Sequence, residues 1–212
     1  MLIARAIALV ACLAALNGHA AVVRGAVTAT GPANFISSAV TGNLANQSGL
    51  STSYTSGLTD FDSYVAGTTH SSQESWHSWA QEGAGAVVFD LGGSFDISGM
   101  ALWNRGFSDQ GLKDFALYSC ADAACTTESL IGNFLALTAQ GTDIAVEAQT
   151  LSFASVNVAF LKLEILSTYN ASNVTTLGEV VFREDASSVP EPASLMLAML
   201  ALGGLAVARR RT

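Results

Sequence analysis

Residues 87–106 read VVFDLGGSFDISGMALWNRG, and this stretch decides the fold class. Residues 86–91 (AVVFDL) form a short apolar run stopped by Gly92-Gly93, as a buried strand ending in a turn would be. Residues 97–103 then alternate. Ile97, Gly99, Ala101 and Trp103 fall on one face, Met100 and Leu102 on the other, which is the period of a strand. Two short strands joined by a glycine turn are thus expected here.

The same pattern continues outward. Residues 114–120 (DFALYSC) place Phe115, Leu117 and Ser119 opposite Ala116, Tyr118 and Cys120. Strands are also expected over residues 130–137, 148–153, 159–167 and 177–183. In residues 159–167 (AFLKLEILS), Leu161, Leu163 and Ile165 should face the core, opposite Phe160, Lys162, Glu164 and Leu166. Upstream, residues 21–60 carry only short strand-like pieces, near 22–28 and 35–40. No long segment of 3.6-residue period interrupts the series. Many short strands separated by turn residues imply an all-β antiparallel sandwich or barrel.

The two ends have a different character. Residues 1–20 carry one early charge, Arg5, then an apolar core over 6–16 and small residues at Gly18-His19-Ala20. This is the layout of a signal peptide with cleavage after Ala20. At the other end, Val189-Pro190-Glu191-Pro192 leads into an apolar run over 193–208, closed by Arg209, Arg210 and Arg211. Sixteen helical residues span about 24 Å, near the thickness of a bilayer core. The arginine cluster belongs on the cytoplasmic side. A C-terminal transmembrane helix is therefore expected beside the N-terminal signal helix. The expected boundaries are 1–20 for the signal peptide, 21–59 for an N-terminal part of the sandwich, 60–185 for its main body and 186–212 for the tail.

Nine Lys/Arg against 17 Asp/Glu give a formal net charge of −8. Between the termini only Arg24, Arg105, Lys113, Lys162 and Arg183 are basic. So acidic a chain repels phosphate backbones, which argues against nucleic acid. Cys12 leaves with the signal peptide. Cys120 and Cys125 remain, flanking a turn-length insert, and an oxidising compartment favours a disulfide between them. A half metal site is the alternative, although neither a second cysteine pair nor a histidine cluster completes it. Catalysis finds little support: His70 and His77 share one loop without a hydrolase or metalloprotease pattern around them.

Two resemblances add to this reading. The tail, with its Pro-Glu-Pro motif, apolar helix and arginine cluster, resembles the PEP-CTERM sorting signal of Gram-negative bacteria. That resemblance implies recognition by exosortase, a membrane peptidase, transient anchoring in the inner membrane, and association with exopolysaccharide or biofilm. Residues about 60–184 resemble a discoidin domain, the coagulation-factor C-type module with a galactose-binding-like jelly roll. The carrying residues are Trp76-His77-Ser78-Trp79, then 87–106 with its "DLG" turn and Trp103-Asn104-Arg105, then LKDFALYSC (112–120), FLKLEILSTYN (160–170) and LGEVVF (177–182).

The discoidin resemblance implies a carbohydrate-binding face. Trp76, His77, Trp79, Asn104, Arg105 and Tyr169 are its candidate ligand-binding residues, whereas core packing is the expected role of Trp103. It also implies a structural Ca²⁺ held by oxygen ligands of an early loop and of the closing strand. Asp62 and Glu179 are the leading candidates, with Asp60, Thr68 and Thr69 behind them. An expected role follows: an exported, non-catalytic protein of the envelope or extracellular matrix that engages extracellular polysaccharide. A structural surface protein without a small ligand is the alternative, and a secreted hydrolase a more remote one.

Overall fold

In a computed structural model the chain is described over residues 20–31, 40–71, 79–82, 85–104, 110–137, 145–169 and 174–185. Ten strands are seen in these residues: β1 (Val22–Arg24), β2 (Thr28–Thr30), β3 (Thr69–Ser71), β4 (Trp79–Glu82), β5 (Ala86–Asn104), β6 (Asp114–Cys120), β7 (Glu128–Leu135), β8 (Ala145–Glu147), β9 (Gln149–Ile165) and β10 (Val174–Glu184). One helix, α1 (Phe61–Gly67), and a 3₁₀ turn (Thr41–Leu44) accompany them. The main path runs β1-β10-β5-β9-β6-β7. β2 also pairs with β5, β4 with β10, and β3 with β8, and each of these strand pairs is antiparallel.

The expected short strands over 86–91 and 97–103 are one strand, β5, of 19 residues. Those over 148–153 and 159–167 are likewise one strand, β9, of 17 residues. The two pair with each other along their length, with register shifts between Asp90 and Phe95 and between Ile97 and Gly99. Gly92, at φ +77°, takes a conformation that a side chain would resist, and its N–H donates to Asp90 Oδ1 at 2.8 Å. Glycine here bends the strand rather than ending it. One half of β5 can thus serve β2 and β9, and the other half β10 and β9.

Two apolar clusters flank this bend. The larger lies inside the sandwich and includes Phe89, Met100, Leu102, Leu117, Leu161, Leu163, Val180 and Phe182. Leu161, Leu163 and Ile165 face it as the alternation predicted. The smaller packs Ala101, Trp103 and Val181 under a layer built from the N-terminal segment: Val23, Tyr54, Phe61 and Tyr64. Residues 100–103 are therefore buried on both faces, and a strand buried on both faces cannot alternate between apolar and polar. The N-terminal segment is part of the fold. β1 pairs with β10, β2 pairs with β5, and Asp60 caps α1 by accepting from Ser63 N at 2.8 Å. The expected strand near 35–40 falls largely outside the described residues, as do both terminal helices. Among the described residues no helix is long and apolar enough to cross a membrane.

Strand direction defines two ends. At one, termed the top, lie the start of β10, the end of β5, and the segments around Gly111 and Thr168. At the other, the base, lie the β5 bend, the Cys120–Glu128 turn and the end of β10. Cys120 and Cys125 form a disulfide across that turn, with Cα atoms 4.9 Å apart.

Candidate functional site

The top end is assembled by pairing. Leu177 of β10 has Trp79 of β4 on one side and Asn104 of β5 on the other. Trp79 and Asn104 are thus two strand spacings apart, about 10 Å. β5 ends at Asn104, so its end lies close to β4. Trp76, His77 and Arg105 themselves lie outside the described residues. Tyr169 reaches the same end: its N–H donates to Gly111 O, and its hydroxyl donates to Ala136 O at 2.9 Å. Lys113 Nζ sits 5.9 Å from its ring centre.

Asn104 does not serve as a ligand contact here, contrary to expectation. It is only 2 % exposed. Its amide donates to Leu112 O at 2.6 Å and Leu137 O at 3.0 Å, and its Oδ1 accepts from Leu112 N at 3.0 Å. A side chain saturated in this way ties the end of β5 to two neighbouring segments. Trp103 is in the core as expected, with its Nε1–H donating to Thr68 O at 3.0 Å.

Glu179 occupies a second place of interest. Between Leu177 and Val180, β10 carries one extra residue relative to β5. Such a bulge re-aims a side chain, and Glu179 is turned into the layer formed by residues 47–54. It is 0 % exposed. Oε2 accepts from Gln47 N at 3.0 Å, and Oε1 has no hydrogen-bond partner among the described residues. Gln47 has φ +63° and clasps Tyr54, donating to its carbonyl and accepting from its N–H. Burial pushes the Glu179 carboxyl up to about 8, partly opposed by hydrogen bonds from Gln47 and Tyr54. The same burial and the Glu179 charge push the Tyr54 phenol upward.

The other proposed metal ligands are employed elsewhere. Residues 61–67, read as a loop, are helix α1, and Asp60 is its N-cap. Asp62 pairs with Arg183 at 2.7 Å. The Thr68 carbonyl takes the Trp103 indole, and Thr69 pairs in β3 with Glu147. The groups in contact with Glu179 are Gln47 and Tyr54, not Asp60 or Asp62. Among the described residues no group of three or more His, Cys, Asp or Glu is placed to hold a metal ion, and of the expected ligands Glu179 alone keeps a buried oxygen, Oε1, without a hydrogen-bond partner. The sequence signal for this loop was the turn-forming run Asn46-Gln47-Ser48-Gly49, which carries no carboxylate to draw attention to it.

Residues 188–211 match the PEP-CTERM protein-sorting motif. This motif marks the chain as an exosortase substrate, exported and sorted through the cell envelope. The sandwich is similar to the truncated AlyQ with CBM32 and alginate lyase domains, at TM-score 0.51 and 12 % identity over 81 % of this chain and 35 % of that one. It is also similar to the CBM32-1 and CBM32-2 domains of Clostridium perfringens ZmpB in complex with GalNAc, at TM-score 0.50 and 12 % identity over 75 % and 33 %. The fold is thus the discoidin-like, galactose-binding-like sandwich of family 32 carbohydrate-binding modules. Such modules are a non-catalytic domain type, which AlyQ joins to a lyase. No curated protein sequence matches.

Proposed function

We propose that this protein is a non-catalytic carbohydrate-binding protein of a Gram-negative cell envelope or extracellular matrix. It is held in the inner membrane by its tail until exosortase removes that tail, and it engages extracellular polysaccharide through the top of the sandwich. The carrying observation is the union of one sorting motif, at 188–211, with one module of carbohydrate-binding fold. Trp76, His77, Trp79, Arg105 and Tyr169 are the binding residues in this reading, and Asn104 ties the end of β5 to the segments at Leu112 and Leu137. Aromatic faces beside a guanidinium suit hydroxyl-rich or anionic sugars. A structural Ca²⁺ at Glu179 belongs to the same reading, supported by the buried oxygen without a partner.

The test is a glycan array probed with residues 21–188, with Ca²⁺ and with chelator. Binding to a defined set of glycans supports the reading. No binding in either condition, from protein with a cooperative melt, would leave a structural surface role instead.

A further inference from the structure

The fold is fastened closed at the point where the sorting segment begins. β10 descends from the top to Glu184 at the base, and Val22, at the start of β1, pairs with Glu184. Both connections of the sandwich therefore leave from the base, opposite the proposed binding end. Glu184 Oε2 accepts from Arg24 Nε at 2.9 Å and from its second nitrogen at 2.6 Å. The side chains of this pair are only 16 % and 17 % exposed, and the guanidinium lies 3.7 Å over the Phe95 ring. Asp185 is held as firmly. Its N–H donates to Asp96 O at 2.8 Å, Oδ2 accepts from Ser155 at 2.6 Å, and Oδ1 accepts from Ser98. A terminal strand residue ordinarily frays; these two are bound to β1, β5 and β9 at once.

The motif match starts at residue 188. From Asp185 to Pro190 is five residues, at most about 18 Å, and to the first apolar residue, Ala193, eight, at most about 29 Å. A sandwich on so short a leash cannot turn over.

We propose that Glu184 and Asp185 form a clasp that fixes the module base-down at the membrane. The processing peptidase then meets the base surface of the folded domain, and the free length of chain beyond the clasp limits the rate at which the tail is removed. This rests on the exosortase reading above and adds an orientation and a rate-limiting contact to it. While tethered, the module presents its top away from the membrane.

The experiment follows tail loss by pulse-chase of the full chain in cells that carry the processing peptidase. Four forms are compared: wild type, a ten-residue Gly/Ser insertion after Asp185, Asp185→Ala, and Glu191→Ala in the motif. The insertion should speed tail loss severalfold, because it leaves the fold intact and lengthens the leash. Asp185→Ala should move in the same direction, with its melting temperature measured in parallel. An insertion variant processed at the wild-type rate or more slowly overturns the inference. A wild type whose tail is never lost, or a Glu191→Ala chain processed normally, overturns the exosortase reading and this inference with it.

Discussion

Glu179 is the residue whose environment makes the sharpest demand. A carboxyl pushed up to about 8 in the folded chain has a higher affinity for its proton there than when unfolded. The stability it contributes is complete below its ordinary value near 4.5. That stability is lost as pH rises toward 8, by up to about 1.4 kcal/mol per pH unit. Metal-free wild type should therefore melt progressively lower from about pH 5 to about pH 8, whereas Glu179→Gln, which cannot ionise, should lose that part of the slope. Calcium needs the carboxylate, so it should raise the wild-type melt more strongly at higher pH and leave Glu179→Gln unmoved. Equal pH profiles for the two proteins would remove Glu179 as the titrating group, and an equal calcium response would remove it as the ligand. Asp62→Ala separates the earlier assignment from this one. Its pair with Arg183 is largely solvated, so the substitution should cost less than about 1 kcal/mol and keep the calcium response. Asn104 stands at the other extreme. Asn104→Ala would strand the N–H and C=O of Leu112 and the C=O of Leu137, and a loss of about 2–4 kcal/mol in chemical denaturation is expected. At this scale the sequence was legible where one side chain's chemistry sufficed, as for Trp103 in the core. The partners of Asn104 and Asp62 were not legible, because polar side chains bind wherever the fold brings a partner, and those partners lie 8 and 121 residues away.

Strand existence was legible at the element scale because the alternation of Leu161, Leu163 and Ile165 follows from one buried face. Strand length was not. Gly92-Gly93 reads as a stop, and only the register between β5 and β9 shows that the chain bends there and continues. Helix α1 was invisible for a different reason. It has seven residues and buries only Phe61 and Tyr64, too little for a periodic signal. Its stability comes from tertiary contacts, with Tyr64 set edge-on to Tyr54 and Trp103 at ring distances of 5.4 and 6.3 Å. The disulfide turn behaves oppositely: five residues of separation made it readable, and the same shortness makes its entropic effect modest. Replacing both Cys120 and Cys125 by Ser should leave the fold intact, with a loss of at most about 3 kcal/mol. Exported wild type should show no free thiols under denaturing, non-reducing conditions. Two titratable thiols there would refute the bridge.

In the proposed function, the whole molecule places sugar contact and tail attachment at opposite ends. Strand order sets Trp79 and Asn104 on either side of Leu177, and β10 carries the chain from that point to the base. The proposed binding end and the start of the tail are thereby separated by the length of one strand, 11 residues, or about 35 Å at an ordinary strand rise. In the proposed reading the sugar is held by a few side chains, so single-site affinity should be weak and retention should depend on a few contacts. Arg105→Ala and Tyr169→Ala, made separately, should each reduce retention in affinity electrophoresis through acidic polysaccharide by several-fold. Arg105→Ala should do so with an unchanged melting temperature if Arg105 acts through sugar contact rather than through the fold. Tyr169→Phe supplies the control: it removes the hydroxyl that donates to Ala136 O and keeps the ring, so it should lower stability by about 1 kcal/mol and keep retention. If retention follows the hydroxyl rather than the ring, Tyr169 acts by holding the top together, and the proposed binding residues shrink to the tryptophans and Arg105.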